Sequence, residues 1–147
     1  MADIKAVVIP IEFSSTMDKV VDYAISVADQ LGAKVHFLHV VNDFRGYDMV
    51  LAHPSFTELT RDLKTKSEKR MADLVEDYSH LKGGVSGTVK NGEPAEEIIV
   101  FAKEINADMI IIGTHGIKGF ERMIIGSTAE KVVRNAPCPV LTFNPFK

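Results

Sequence analysis

Three glycines stand at fixed intervals late in the chain: Gly113, Gly116 and Gly126, the last followed at once by Ser127 and Thr128, a G-x2-G-x9-G-S spacing. Before them lies a wholly apolar run, Met109-Ile110-Ile111-Ile112, with the composition of a strand buried on both faces. After them, Ala129, Val132 and Val133 share one helical stripe, with Glu130, Lys131 and Arg134 elsewhere. Strand, glycine-rich loop and helix, in that order, suit the holding of an anion. Glycine lets a backbone approach a ligand closely, and a helix start presents unpaired N–H groups and a partial positive charge. Phosphate is the anion most often placed there. His115, Lys118 and Arg122 fall inside the loop as candidate phosphate partners. A structural reading stands beside the chemical one. Ser127 and Glu130 have the spacing of a capping box, which closes a helix start without any ligand, and Gly113 and Gly116 also suit a tight turn.

Other chemistries lack their residues. There is no G-x4-G-K-S/T phosphate loop and no G-x-G-x-x-G after a strand. His36 and His39 are three apart on an expected strand, so they point to opposite faces and share no metal; Cys/His spacing for zinc is missing as well. Ser14 and Ser15 have no G-x-S-x-G elbow around them. The single cysteine, Cys138, excludes an internal disulfide framework and reads as a small buried side chain between two prolines. With 147 residues, 46% hydrophobic and 25% charged, the chain has the size and composition of one globular domain. A formal charge of −3 gives no electrostatic reason to expect nucleic acid or an acidic membrane surface. Neither a signal-peptide pattern nor an apolar run of spanning length is seen, so the expectation is a cytoplasmic protein without membrane insertion.

The elements that must position the loop alternate. Strands are expected over Ala6–Ile9 (closed by Pro10), Lys34–Val41, Val85–Lys90, the run before Gly113, and Pro139–Phe143. Helices are expected after a Ser15/Asp18 cap up to Leu31 and Gly32, from about Ser55 to Leu81, after Gly92-Glu93-Pro94, and after Ser127. The stretch from Asn42 to about Ser55 reads as irregular, and Gly83, Gly84 and Gly87 as a helix end and turn. Such alternation demands right-handed crossovers and a parallel sheet covered on both faces, an α/β three-layer sandwich over residues 1–147. Ligands of such sheets bind beyond the carboxyl ends of the strands.

The spacing Gly113-x2-Gly116-x9-Gly126-Ser127 resembles the nucleotide-binding signature of the universal stress protein family, in its ATP-binding branch. Ile112-Gly113-Thr114-His115-Gly116, Gly126-Ser127-Thr128-Ala129-Glu130-Lys131-Val132-Val133 and Ala136-Pro137-Cys138-Pro139-Val140-Leu141 extend the likeness, which covers essentially the whole chain. The resemblance implies a Rossmann-like sheet of order 3-2-1-4-5, similar to the adenine nucleotide alpha hydrolases. It implies a site for ATP, or AMP or ADP, with Mg²⁺ held through the phosphates. Gly126, Ser127 and Thr128 would meet the phosphates, with Gly113, His115 and Gly116 around ribose and phosphate. Ile11 and Val40 would give apolar walls and backbone groups to the adenine, Glu12 would lie near adenine and ribose, and Pro10 and Ile112 would belong to the same nucleotide site. Glu12 departs from the family pattern, which usually has aspartate there. Family members also pair as homodimers through the last strand, here the apolar Pro139 to Phe143. The implied role is regulation in a stress response, with ATP hydrolysis slow or absent. The competing reading is a nucleotide-free interaction module on the same fold. An ATP pyrophosphatase would need an S-G-G-x-D-S loop after the first strand, where this chain has Ile11-Glu12-Phe13-Ser14-Ser15-Thr16.

Overall fold

The computed structural model describes residues 3–42, 54–114 and 125–146, with the side chains of residues 54 and 56 outside the description. The irregular stretch expected before the second helix therefore lies almost wholly outside the described residues, as do His115, Gly116, Lys118 and Arg122. The chain runs β1 (Ala6–Pro10), α1 (Met17–Leu31), β2 (Lys34–Asn42), α2 (Pro54–Asp77), β3 (Val85–Gly92), α3 (Pro94–Glu104), β4 (Met109–Gly113), α4 (Ser127–Asn135) and β5 (Val140–Phe143). The strands form one sheet in the order β3-β2-β1-β4-β5, and every pairing is parallel. This is the expected α/β sandwich.

The period of two along the central strands divides the core. Val7, Ile9 and Ile11 pack with Val35, Phe37 and Ile111 against α1 and α2 on one face. Val8, Leu38, Ile110 and Ile112 pack against α3 and α4 on the other. Val7, Val8, Ile9, Ile110 and Ile111 are fully buried; burial of each such side chain stabilises the fold by about 1.5–3 kcal/mol before entropy is counted.

The helix ends follow local chemistry with some departures from expectation. Gly32 closes α1 in the left-handed conformation, φ 66°, its N–H reaching the carbonyls of Ala28 and Asp29. Pro94 opens α3, and the Glu93 carboxylate accepts from the Glu96 N–H at 2.8 Å. The Ser15/Asp18 cap does not form: Thr16 is the N-cap, without a side-chain cap bond. The Thr16 hydroxyl lies instead 3.2 Å from that of Ser14. Helix α2 ends at Asp77 rather than Leu81 because its last turn tightens, with Tyr78, Ser79 and Leu81 donating to carbonyls three residues back. Only the second half of its apolar stripe is covered: Met71 and Leu74 are buried, whereas Leu59 and Leu63 are 54% and 47% exposed. Val133, expected on the inner stripe of α4, is exposed. Gly87 belongs to β3 and not to a turn. A Cβ there would stand 2.6 Å from Met71 Cγ, so glycine is what lets α2 lie this close to the strand.

Side-chain contacts also tie strand to strand. Asp108, just before β4, accepts from both the Lys5 and Ala6 N–H groups at 2.9 Å, joining the starts of β4 and β1. The two histidines of β2 face opposite layers, as their spacing requires. His36 Nδ1 is 3.0 Å from the Ser86 hydroxyl and its ring lies edge-on to Phe101; His39 Nδ1 is 2.7 Å from the Ile11 carbonyl oxygen and its ring lies against Phe13. Burial pulls both imidazoles below their usual range. Lys34 lowers His36 further; for His39 the bond to Ile11 pushes up and Arg70 pushes down.

Replacing Asp108→Ala removes a charged acceptor from two N–H groups and is expected to cost about 2 kcal/mol in urea unfolding; an unchanged midpoint would contradict the clasp. The lowered histidines also predict a pH dependence. The unfolded chain takes up protons near 6.5 that the folded chain refuses, so stability is full above that pH and falls as pH drops below it. The urea midpoint is expected to be lower at about pH 5.5 than at about pH 7.5, with the slope reduced in a His36→Gln/His39→Asn double variant. An equal slope in the variant would assign the effect elsewhere.

Candidate functional site

The site is built from two connections that leave neighbouring strands at one end of the sheet. Strands β1 and β4 pair in parallel, Val7 opposite Met109 and Val8 opposite Ile110, so their carboxyl ends emerge side by side. From β1 the chain crosses to α1 on one face, and from β4 to α4 on the other. The strand order reverses between them, and the diverging connections leave a crevice there.

The first connection is held by β2. Pro10 ends the β1 ladder opposite Leu38. The Ile11 N–H then donates to the Leu38 carbonyl at 2.7 Å, and the Ile11 carbonyl meets His39. The Ile11 side chain is buried in the α1/α2 layer. Both polar groups of the Ile11 backbone are thus engaged, and its side chain is core. Glu12 follows, half-buried, with its carbonyl accepting from the Ser14 N–H at 2.8 Å in a tight turn. Val40 lies in β2 two residues beyond the level of Pro10 and packs half-buried against the α3/α4 layer.

The second connection begins where β4 ends. Ile112 is buried, and Gly113 pairs with Phe143 of β5. The Thr114 N–H donates to the Phe143 carbonyl at 2.9 Å, and the Thr114 carbonyl accepts from the Gly126 N–H. That last bond sets the start of α4 directly beyond the end of β4. Gly126 is the N-cap, φ −72° and ψ 161°, and as glycine it has no side chain of its own to close the helix start. The Gly126 carbonyl accepts the first helical bond, from the Glu130 N–H at 2.9 Å. The N–H groups of Ser127, Thr128 and Ala129 fall in the first turn, where a helix has no partners of its own to offer. The capping-box reading fails on two counts: Ser127 is the first helical residue and not the cap, and the Glu130 carboxylate turns outward to Arg134 at 2.8 Å. The start of α3 lies alongside, with Lys131 Nζ 3.8 Å from the capping carboxylate of Glu93.

The described part of the site thus joins Pro10, Ile11 and Glu12 on one side to Ile112, Gly113 and Gly126 to Thr128 on the other, with Val40 beyond. His115 and Gly116 lie outside the described residues. Sequence reasoning passed over His39 and Thr114. The spacing of His39 from His36 speaks only to metal binding, whereas a histidine near the end of a strand beside the first connection carries a donor that can reach it. Thr114 directly follows Gly113 and is buried. Among the described residues no group of three or more His, Cys, Asp or Glu side chains is placed to hold a metal ion, and no helix is long and apolar enough to cross a membrane. Burial, and then the nearby Asp108, push the half-buried Cys138 thiol up, away from the thiolate that nucleophilic chemistry needs. A separate depression of about 380 Å³ lies between α2 and β3, lined by Glu68, Met71, Ala72, Val75, Gly87 and Val89. Its apolar walls and lone acid offer a phosphate nothing.

The chain matches the universal stress protein family over residues 3–144. Universal stress protein MJ0531 of Methanocaldococcus jannaschii is 33% identical over 139 residues, covering 93% of this chain and 80% of that protein. Among solved structures, the universal stress protein UspA from Lactobacillus plantarum shares the fold with a TM-score of 0.83 at 23% identity, over 98% of this chain and 100% of that one. The universal stress protein from Archaeoglobus fulgidus in complex with dAMP shares it with a TM-score of 0.63 at 19% identity, over 97% and 98% of the two chains. The family match, the 33% identical relative and the glycine spacing agree: this chain belongs to the universal stress protein family.

Proposed function

We propose that the crevice between the β1 and β4 connections binds an adenine nucleotide, ATP with Mg²⁺ carried on its phosphates, and that the protein works as a regulatory homodimer in a stress response, not as a fast enzyme. The observation that carries this reading is the start of α4. Its first-turn N–H groups stand beyond the end of β4 behind a cap residue with no side chain, and a phosphate is the kind of acceptor that a helix start of this form takes. Gly126 to Thr128 take the phosphates, with His115 and Gly116 beside them and Gly113 under the ribose. Glu12 directs its carboxylate to the ribose hydroxyls, its extra methylene shifting the contact relative to aspartate. Pro10, Ile11, Val40 and Ile112 form the walls against which the adenine lies. AMP or ADP would fit the same cleft with fewer phosphate contacts. The dAMP complex of the Archaeoglobus fulgidus protein supports an adenine nucleotide on this fold.

The dimer reading rests on β5. It is a four-residue edge strand, and an open apolar edge invites pairing with another chain. Tyr23 of α1 stacks on Phe143, ring centroids 4.5 Å apart, while Val133 and Phe146 stand exposed nearby in sequence. The Tyr23–Phe143 stack adds an aromatic pair to the edge that a second copy would cover.

Calorimetric titration with ATP and Mg²⁺ tests the site. The Gly126 backbone lies in ordinary extended space, so Gly126→Leu imposes no backbone strain and acts through its bulk against the phosphate. The variant is expected to bind at least about tenfold more weakly, the loss of one charge-assisted hydrogen bond or more. Saturable binding that Gly126→Leu leaves intact would move the nucleotide elsewhere. No binding to the unmodified protein, and none released from it by acid, would favour the nucleotide-free interaction module. For the dimer, light scattering of a folded Leu141→Lys variant is expected to give half the mass of the parent; an unchanged dimer mass would exclude the β5 edge.

A further inference from the structure

We infer that His39 is a positioning residue of the nucleotide cleft, its Nδ1–H holding the Ile11 carbonyl and so setting where Glu12 stands; this rests on the reading of the crevice as a nucleotide site. The geometry concerns the point at which β1 stops being a strand. The last ladder pair is Pro10 with Leu38, and proline has no N–H to extend it. Beyond that point β2 grips the chain by two contacts of different kinds. Its backbone takes the Ile11 N–H at Leu38 O, 2.7 Å. Its side chain at His39 takes the Ile11 carbonyl, also at 2.7 Å. Both peptide groups flanking Ile11 are therefore fixed, one residue before the carboxylate assigned to the ribose.

The chemistry of the bond fixes the tautomer. A carbonyl oxygen only accepts, so His39 Nδ1 carries the hydrogen and, in the neutral ring, Nε2 carries the lone pair. The ring is kept in place by a tilted aromatic contact. Phe13, next after Glu12, lies with its centroid 4.6 Å from that of His39, and the Arg70 guanidinium of α2 covers the Phe13 ring at 4.2 Å. Glu12 thus sits between two anchored neighbours: Ile11 bound to β2, and Phe13 held between His39 and Arg70. A further bond, Ser14 N–H to the Glu12 carbonyl, closes the turn. Without the imidazole donor, the partly buried Ile11 carbonyl would lose its side-chain partner, and the turn carrying Glu12 would lose one of its ties to β2.

The test uses the unmodified protein and two variants. Nitrogen-15 NMR of the His39 ring reads the tautomer directly; the Nδ1–H form is expected, and the Nε2–H form would overturn the proposal. His39→Leu keeps bulk and removes the donor, whereas His39→Asn places an amide nitrogen where Nδ1 stands. In the nucleotide-free protein, amide exchange at Ile11 and Ser14 is expected to quicken about tenfold in His39→Leu, relative to the Ile111 amide of the core, and to stay within about threefold in His39→Asn. ATP affinity should follow the same order. Leucine and asparagine variants that behave alike, in either direction, would overturn the proposal. A parent protein that binds no nucleotide would refute the cleft reading alone, because the exchange and tautomer arms still decide whether His39 holds the loop.

Discussion

A strand that is apolar on both faces must be covered on both faces, and β1 and β4 are such strands. Val7, Val8, Ile9, Ile110 and Ile111 have no contact with solvent. That single requirement puts a helical layer on each side of the sheet and forces parallel crossovers between strands. It also sets the crevice. With β1 leading to one layer and β4 to the other, the connections after them must part company, and they do so at the carboxyl end where the strand order reverses. The place of the site follows from core packing before any residue in it is considered.

What distinguishes the site chemically is how two helices begin. α3 starts with Glu93, whose own carboxylate takes an orphan N–H of the first turn. α4 starts with Gly126, which has no side chain to do so, and the nearby Glu130 pairs outward with Arg134. One helix start is closed by the side chain of its own cap, and the other has a cap residue with none. The bond between the Thr114 carbonyl and the Gly126 N–H then sets that open start at the end of β4. On the opposite wall the protein spends its contacts on rigidity, with β2 holding Ile11 by backbone and imidazole together.

Much of this was legible in the residues. The unbroken apolar run of β4, the alternation of elements, the Pro94 helix start and the Gly32 helix end each state a local preference that the fold obeys. Where sequence and structure part, the cause is shared: spacing alone does not make a contact. Ser127 and Glu130 have capping-box spacing, but the cap is one residue earlier, because Gly126 is already bonded to Thr114. Gly87 reads as a turn by composition, yet it pairs with Phe37 in β3, and its missing Cβ leaves room for Met71 of α2. His39 looked inert since the bond that employs it joins residues 28 positions apart. Long-range contacts of this kind leave no periodic trace in a sequence. Strand order likewise came from family resemblance, because alternation alone does not choose which strands are neighbours.

The most direct test of the central claim is a backbone amide NMR titration of the unmodified protein with ATP and Mg²⁺. The account predicts saturable shifts that converge on Gly126, Ser127 and Thr128 from one wall and Glu12 from the other, with the α2–β3 depression around Val75 and Val89 silent. Shifts confined to that depression, or none in either connection at saturating nucleotide, would contradict it.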